Sequence, residues 1–240
     1  MSNAARNLRQ LRSSPASWAC VAVILGIQAA VATVPWPWIE TLGLNRDAFF
    51  SGKIWQGLSY GMLHGSWFHA AVNSSFILLV GSRIEHMAGR AAVVKTLVAG
   101  ILGGGIIDLL LTPAGPDTAW LVGISGGCVA LLLLLTTLSP QSRMMPLPVS
   151  GKSLGFGILT AELLLALSHP ALGVPLLSDF GSFLVSAGLG SWFQIGHACH
   201  FGGGVAGWLM GRWLLRPRTT LKRLHRDRER REASDLRRVD

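Results

Sequence analysis

"LVGISGGCVALLLLLTTL", residues 121–138, holds two messages in one stretch. From Cys128 onward it is an almost unbroken apolar run, yet Ser125 stands ahead of that run among Gly123, Gly126 and Gly127. A serine at a helix start ordinarily caps it, its oxygen accepting from a backbone N–H two or three residues on. Whether Ser125 does more depends on its surroundings, and the chain supplies more apolar runs of the same kind. Half of the 240 residues are hydrophobic and 14% are charged, against roughly 25% charged in soluble domains. Segments long enough to cross a hydrocarbon core of ~30 Å recur at about 18–34, 67–82, 92–112, 121–138, 154–170 and 196–214. The first is as long as a true span, and no small-residue cleavage site follows it before "PWPW", residues 35–38, so it reads as a span and not as a removable signal. The three cysteines, Cys20, Cys128 and Cys199, sit in or beside apolar segments without paired spacing, which points to packing and not to disulfides or zinc.

The formal net charge of +9 resolves once it is mapped. With six spans and the N-terminus inside, Arg6, Arg9, Arg12, Arg83, Arg90, Lys95, Arg143, Lys152 and eleven basic residues of the tail from Arg212 to Arg238 are cytoplasmic, and only Arg46 and Lys53 are outside. Lys and Arg in excess on cytoplasmic loops fix orientation. The expected fold is an all-α membrane protein, a bundle of six transmembrane helices with both termini cytoplasmic. Its expected parts are a basic N-terminal segment 1–17, a membrane domain 18–215 and a charged cytoplasmic tail 216–240. Positive-inside retention accounts for the basic tail near anionic headgroups, and no nucleic-acid partner is expected.

That orientation turns the polar residues into a map. Spans 2, 4 and 6 run from outside to inside, so their N-terminal ends share one depth. His64, His69 and Asn73 lie around the start of span 2, Ser125 opens span 4, and His197 and His200 open span 6. Polar groups within a bilayer are costly unless paired or facing water. A serine hydroxyl becomes a nucleophile when an imidazole takes its proton, and the oxyanion that follows needs donors aimed at it. His69 and Asn73, four apart, share a helix face and fit that need, as does the backbone N–H of Ser125. Gly203, Gly207 and Gly211 recur every four residues on span 6, a stripe that permits close helix contact; Gly126 and Gly127 offer a matching bare patch. His197 reads as a cavity-lining residue. Glu162 falls near mid-depth in span 5, where it is expected to be protonated or hydrogen-bonded to a neighbouring helix.

These motifs resemble the rhomboid family of intramembrane serine proteases. "HGSWFHAAVN" is similar to the family's second-span motif, "GISG" to its nucleophile motif G-x-S-G, "HFGGGVAG" to its sixth-span H-x-x-G-x-x-x-G, and "GSRIE" to a G-x-x-x-E after the second span. The resemblance implies Ser125 as nucleophile, His200 as general base, His69 and Asn73 as oxyanion residues, and His64, Gly123, Gly126, Gly203 and Gly207 as site support, with Gly81 and Glu85 at the positions of the last motif. It implies a dyad without an acid. Three departures stand out: Trp55-Gln56 replaces the usual Trp-Arg, Val129 stands where an aromatic residue often stacks on the histidine, and Cys199 replaces the common alanine.

The function implied is hydrolysis of peptide bonds in or next to transmembrane segments of membrane-protein substrates whose helices unwind readily, with the site open to the extracytoplasmic side of a bacterial inner membrane. The lipid bilayer is the other expected partner. The alternative is a catalytically silent rhomboid-like protein that grips transmembrane helices. A metal reading of His64, His69, His197 and His200 lacks an H-E-x-x-H segment and a carboxylate evidently placed to complete it, so neither metal nor cofactor is expected.

Overall fold

A computed structural model of the chain describes residues 9–112, 119–144, 148–217 and 225–230. The first eight residues and most of the tail expected at 216–240 lie outside these. Among the described residues there is no strand; two isolated bridges, Leu44 to Leu121 and Arg143 to Ser150, are the extended pairings. The principal helices are α1 (Pro15–Thr33), α2, α3 (Arg90–Leu111), α4 (Ser125–Leu138), α5 (Gly151–Leu167) and α6 (His197–Leu214). Helix α2 is composite: Trp67–Phe76, a π-helical turn Ile77–Gly81, then Ser82–Ala88. A helix therefore lies over each of the six expected segments. Among the described residues, α1 and α3 are the two helices long and apolar enough to cross a membrane, and α4 is apolar but shorter. At 1.5 Å per residue, its 14 residues reach only about 21 Å. The segment expected to be helical from residue 121 is extended until Gly123, whose φ of +116° breaks the helix and delays its start to Ser125.

Local chemistry explains several of the ends. Ser66 caps α2, its Oγ accepting from the His69 N–H at 3.1 Å. Gly89, at φ +87°, makes the turn into α3, a backbone geometry that glycine adopts without cost. The amino end of α1 has no side-chain cap of its own. Instead the Glu85 carboxylate from the end of α2 accepts from the N–H of Ala16 (3.1 Å), the N–H of Ser17 (3.0 Å) and the Ser17 hydroxyl (3.0 Å). Negative charge at a helix amino end also suits the backbone dipole.

The centre of the molecule is α3, α4 and α6, joined through small residues. A β-carbon on Gly203 would fall on the Gly126 carbonyl, one on Gly207 on the Ala130 carbonyl, and one on Gly211 would lie 2.7 Å from Thr137. The α6 stripe thus meets α4 as expected, with one correction. Only Gly126 faces α6; Gly127 faces Leu97 of α3, because neighbouring helical residues point about 100° apart. Cys128 and Cys199 are buried free thiols used in packing. Cys199 fills the space left by Gly104 and Gly126.

Candidate active site

Ser125 is the first residue of α4 and not its cap; Ile124 occupies that position. The hydroxyl is therefore not engaged with its own helix. It lies 2.8 Å from Nε2 of His200 on α6, and the contact of Gly126 with Gly203 sets that distance, each glycine lying within a turn of one of the two side chains. Nδ1 of His200 faces Oε1 of Glu162 on α5 at 3.3 Å. A carboxylate oxygen accepts there, so Nδ1 carries the proton and Nε2 is left to accept from the serine. Oε2 of Glu162 is held by Nδ1 of His197 at 2.7 Å, and Nε2 of His197 donates to the Trp192 carbonyl at 3.1 Å.

The second half of the site converges from α2. Gly123, two residues before Ser125, is the point of contact: a β-carbon there would lie 2.7 Å from Cε1 and 2.9 Å from Nε2 of His69, and 3.8 Å from Nδ2 of Asn73. The Gly123 N–H donates to the Tyr60 carbonyl at 3.0 Å, which fixes the bend. Asn73 is buried, and its Nδ2 has no hydrogen-bond partner among the described residues. A buried donor without an acceptor costs about 1–3 kcal/mol, and a catalytic role is one of the explanations such a group can have. His64 is buried and packs edge-to-face on His69, ring centroids 5.0 Å apart.

Every residue singled out from the motifs is thus near its partners: Ser125 with His200, His69 and Asn73 with Gly123, His64 with His69, Gly126 with Gly203, and Gly207 with α4. Two features run against expectation. His197 does not merely line a cavity, since it holds Glu162. A carboxylate does complete a cluster with His197 and His200, although the spacing of these residues gives no sign of it. Gln56 is a further residue whose role emerges only in three dimensions. Fully buried, it accepts from the Asn45 N–H at 3.4 Å and donates to the Glu40 carbonyl at 3.4 Å, while Trp55 Nε1 donates to the Thr41 carbonyl at 2.9 Å. The loop ahead of α2 is therefore anchored without the usual arginine. Val129 lies against Gly204 of α6.

Residues 51–217 match the family model for the Rhomboid domain. The chain belongs to the rhomboid family. Rhomboid proteins are embedded in membranes and are generally intramembrane serine proteases, which agrees with the helical, apolar character of this chain. A search of curated proteins gives no match. The matched segment begins after α1 and ends after α6, so it contains the serine, both site histidines of α6, Glu162 and the α2 motif.

Proposed function

We propose that this rhomboid protein is an active intramembrane serine endopeptidase that cleaves in or beside transmembrane segments of membrane-protein substrates. The observation that carries this reading is the 2.8 Å approach of Ser125 Oγ to His200 Nε2, with Nδ1 of that ring already engaged as a donor. In this mechanism Oγ attacks the scissile carbonyl carbon as its proton passes to Nε2. The carbonyl oxygen becomes an oxyanion, met by Nδ2 of Asn73, the His69 ring and the backbone N–H of Ser125. The C–N bond then breaks, His200 returns the proton to the leaving amine, and an acyl-enzyme remains on Ser125. Water attacks that ester, giving its proton to His200, which passes it back to Oγ as the acid departs.

On this reading the chain has six spans with both ends cytoplasmic and its site opens toward the extracytoplasmic face; the 19 basic residues assigned inside against two outside support it. The exposed Trp36, Trp55, Trp67 and Trp192 suit an aromatic belt at that outer interface. A bacterial inner membrane is the proposed compartment. Favoured substrates are helices that unwind easily, because an α-helix hides its carbonyl carbons from a nucleophile.

The test uses purified wild-type protein, Ser125→Ala and His200→Ala with a transmembrane substrate in liposomes. Cleavage by the wild type alone supports the assignment. Equal cleavage by all three overturns the dyad, and a wild type that binds the helix without cutting favours the silent alternative.

A further inference from the structure

Glu162 is a carboxylate in the C-terminal third of α5 with 18% of its side chain exposed. An acid there is expensive unless its oxygens are satisfied, and both are. Oε1 faces Nδ1 of His200 and Oε2 faces Nδ1 of His197. His197 is itself fixed from behind by the Trp192 carbonyl. Both ring nitrogens of His197 thus face oxygens, those of Glu162 and of the Trp192 carbonyl. Hydrogen bonding of both oxygens lowers the cost of keeping the acid in the membrane.

We infer that Glu162 is the positioning residue of a Ser125–His200–Glu162 triad, held in place by His197. Glu162 fixes the tautomer of His200 that leaves Nε2 free to accept, and it faces the positive charge that forms on His200 when Ser125 attacks. His197 closes the other oxygen, so the carboxylate cannot turn away. Val129 packs on Gly204, and the ring set edge-to-face against His200 is that of His197, centroids 6.3 Å apart. Orientation of the base therefore rests on a hydrogen bond from α5.

The same three side chains place one donor atom each within 4.8 Å of one another, a donor set that zinc enzymes also use. Geometry favours the hydrogen-bonded reading. Two ligands at about 2.0–2.2 Å from a tetrahedral ion lie about 3.3 Å apart, whereas Glu162 and His197 are 2.7 Å apart, a direct hydrogen-bond distance.

This inference rests on the protease reading, and a fluorophosphonate that labels activated serines tests it without a substrate. The full-length protein in detergent is compared with Glu162→Gln, Glu162→Leu, Glu162→Asp and Ser125→Ala. Glutamine keeps an oxygen for His200 and an N–H for a neutral His197, so the fold holds while the charge is lost. Labelling is expected to slow about 10²-fold or more in Glu162→Gln, further in Glu162→Leu, and less in Glu162→Asp, with an unchanged melting temperature in Glu162→Gln. On a cleaved substrate kcat falls and KM holds. Labelling of Glu162→Gln within about threefold of the wild type overturns the triad and leaves the dyad standing. A wild type that is not labelled at Ser125 overturns the protease reading and the triad with it. About one zinc per chain, with labelling lost on chelation and restored by zinc, overturns the triad in favour of a metal site.

Discussion

Gly203 and Gly126 touch backbone against backbone, so that a single added carbon on Gly203 has nowhere to go but into the Gly126 carbonyl. Because Ser125 is next to Gly126 and His200 is one turn before Gly203, this contact is also the spacer of the site. Gly203→Ala is expected to lower stability by about 1–3 kcal/mol through overpacking, and Gly203→Leu to separate α4 from α6. Thermal melts of the purified variants, read beside Ser125 labelling, check both; an unchanged melt in Gly203→Leu would contradict the contact.

Asn73 offers a separation of stability from activity. Among the described residues its Nδ2 is buried without a partner, and its Oδ1 has a long contact, 3.8 Å, from the Cys128 thiol. Asn73→Ala is expected to lower kcat about 10²–10³-fold, the usual cost of one oxyanion donor. The melting temperature should stay level or rise, since an unsatisfied buried amide is removed. A fall in both quantities together would show that the side chain serves the fold.

Glu85 should behave in the opposite way. Its carboxylate, 4% exposed, takes three hydrogen bonds from Ala16 and Ser17 and lies 3.7 Å from Arg90 Nε. Glu85→Ala strands those donors and is expected to cost about 2 kcal/mol or more, with Glu85→Gln milder. At temperatures below the melt, Ser125 labelling should match the wild type. The paired measurement of melt and labelling rate decides it.

Orientation is open to a direct chemical test. Ser51 and Lys152 are both exposed and fall on opposite sides in the proposed topology. In a background with Cys20→Ala, Ser51→Cys is expected to react with an impermeant maleimide on intact cells, and Lys152→Cys only after permeabilisation. The reverse pattern would invert the chain and move the site to the cytoplasm.

The features legible in the sequence were those encoded within one helical turn or one fixed repeat. Apolar runs located the helices, the four-residue glycine period located the α6 face, and the motif residues marked the helix starts that converge on Gly123. Glu162 escaped because its meaning depends on contacts 35 and 38 residues away. A mid-span carboxylate was a visible signal, but nothing local names its partner. Gln56 escaped for a related reason: an amide replaces an arginine in backbone anchoring through acceptors that only the folded loop supplies. Helix α4 is shorter than its apolar run because residues 121–124 are as apolar as a helix, while the φ of Gly123 is set by the Tyr60 carbonyl and the His69 ring.

The hold of Glu85 on α1 has a bearing on where this protein can be cut. Residues 51–217 are what the family shares, yet a fragment starting at residue 51 would keep the Glu85 carboxylate and discard the amide groups it was folded around. It would also bare the surface of α2 where Gly81 lies close to Ser17, a β-carbon on Gly81 falling 3.1 Å from the Ser17 hydroxyl. What is homologous and what is self-sufficient are therefore different lengths of chain, and the first helix is structural capital of the module that its signature leaves out.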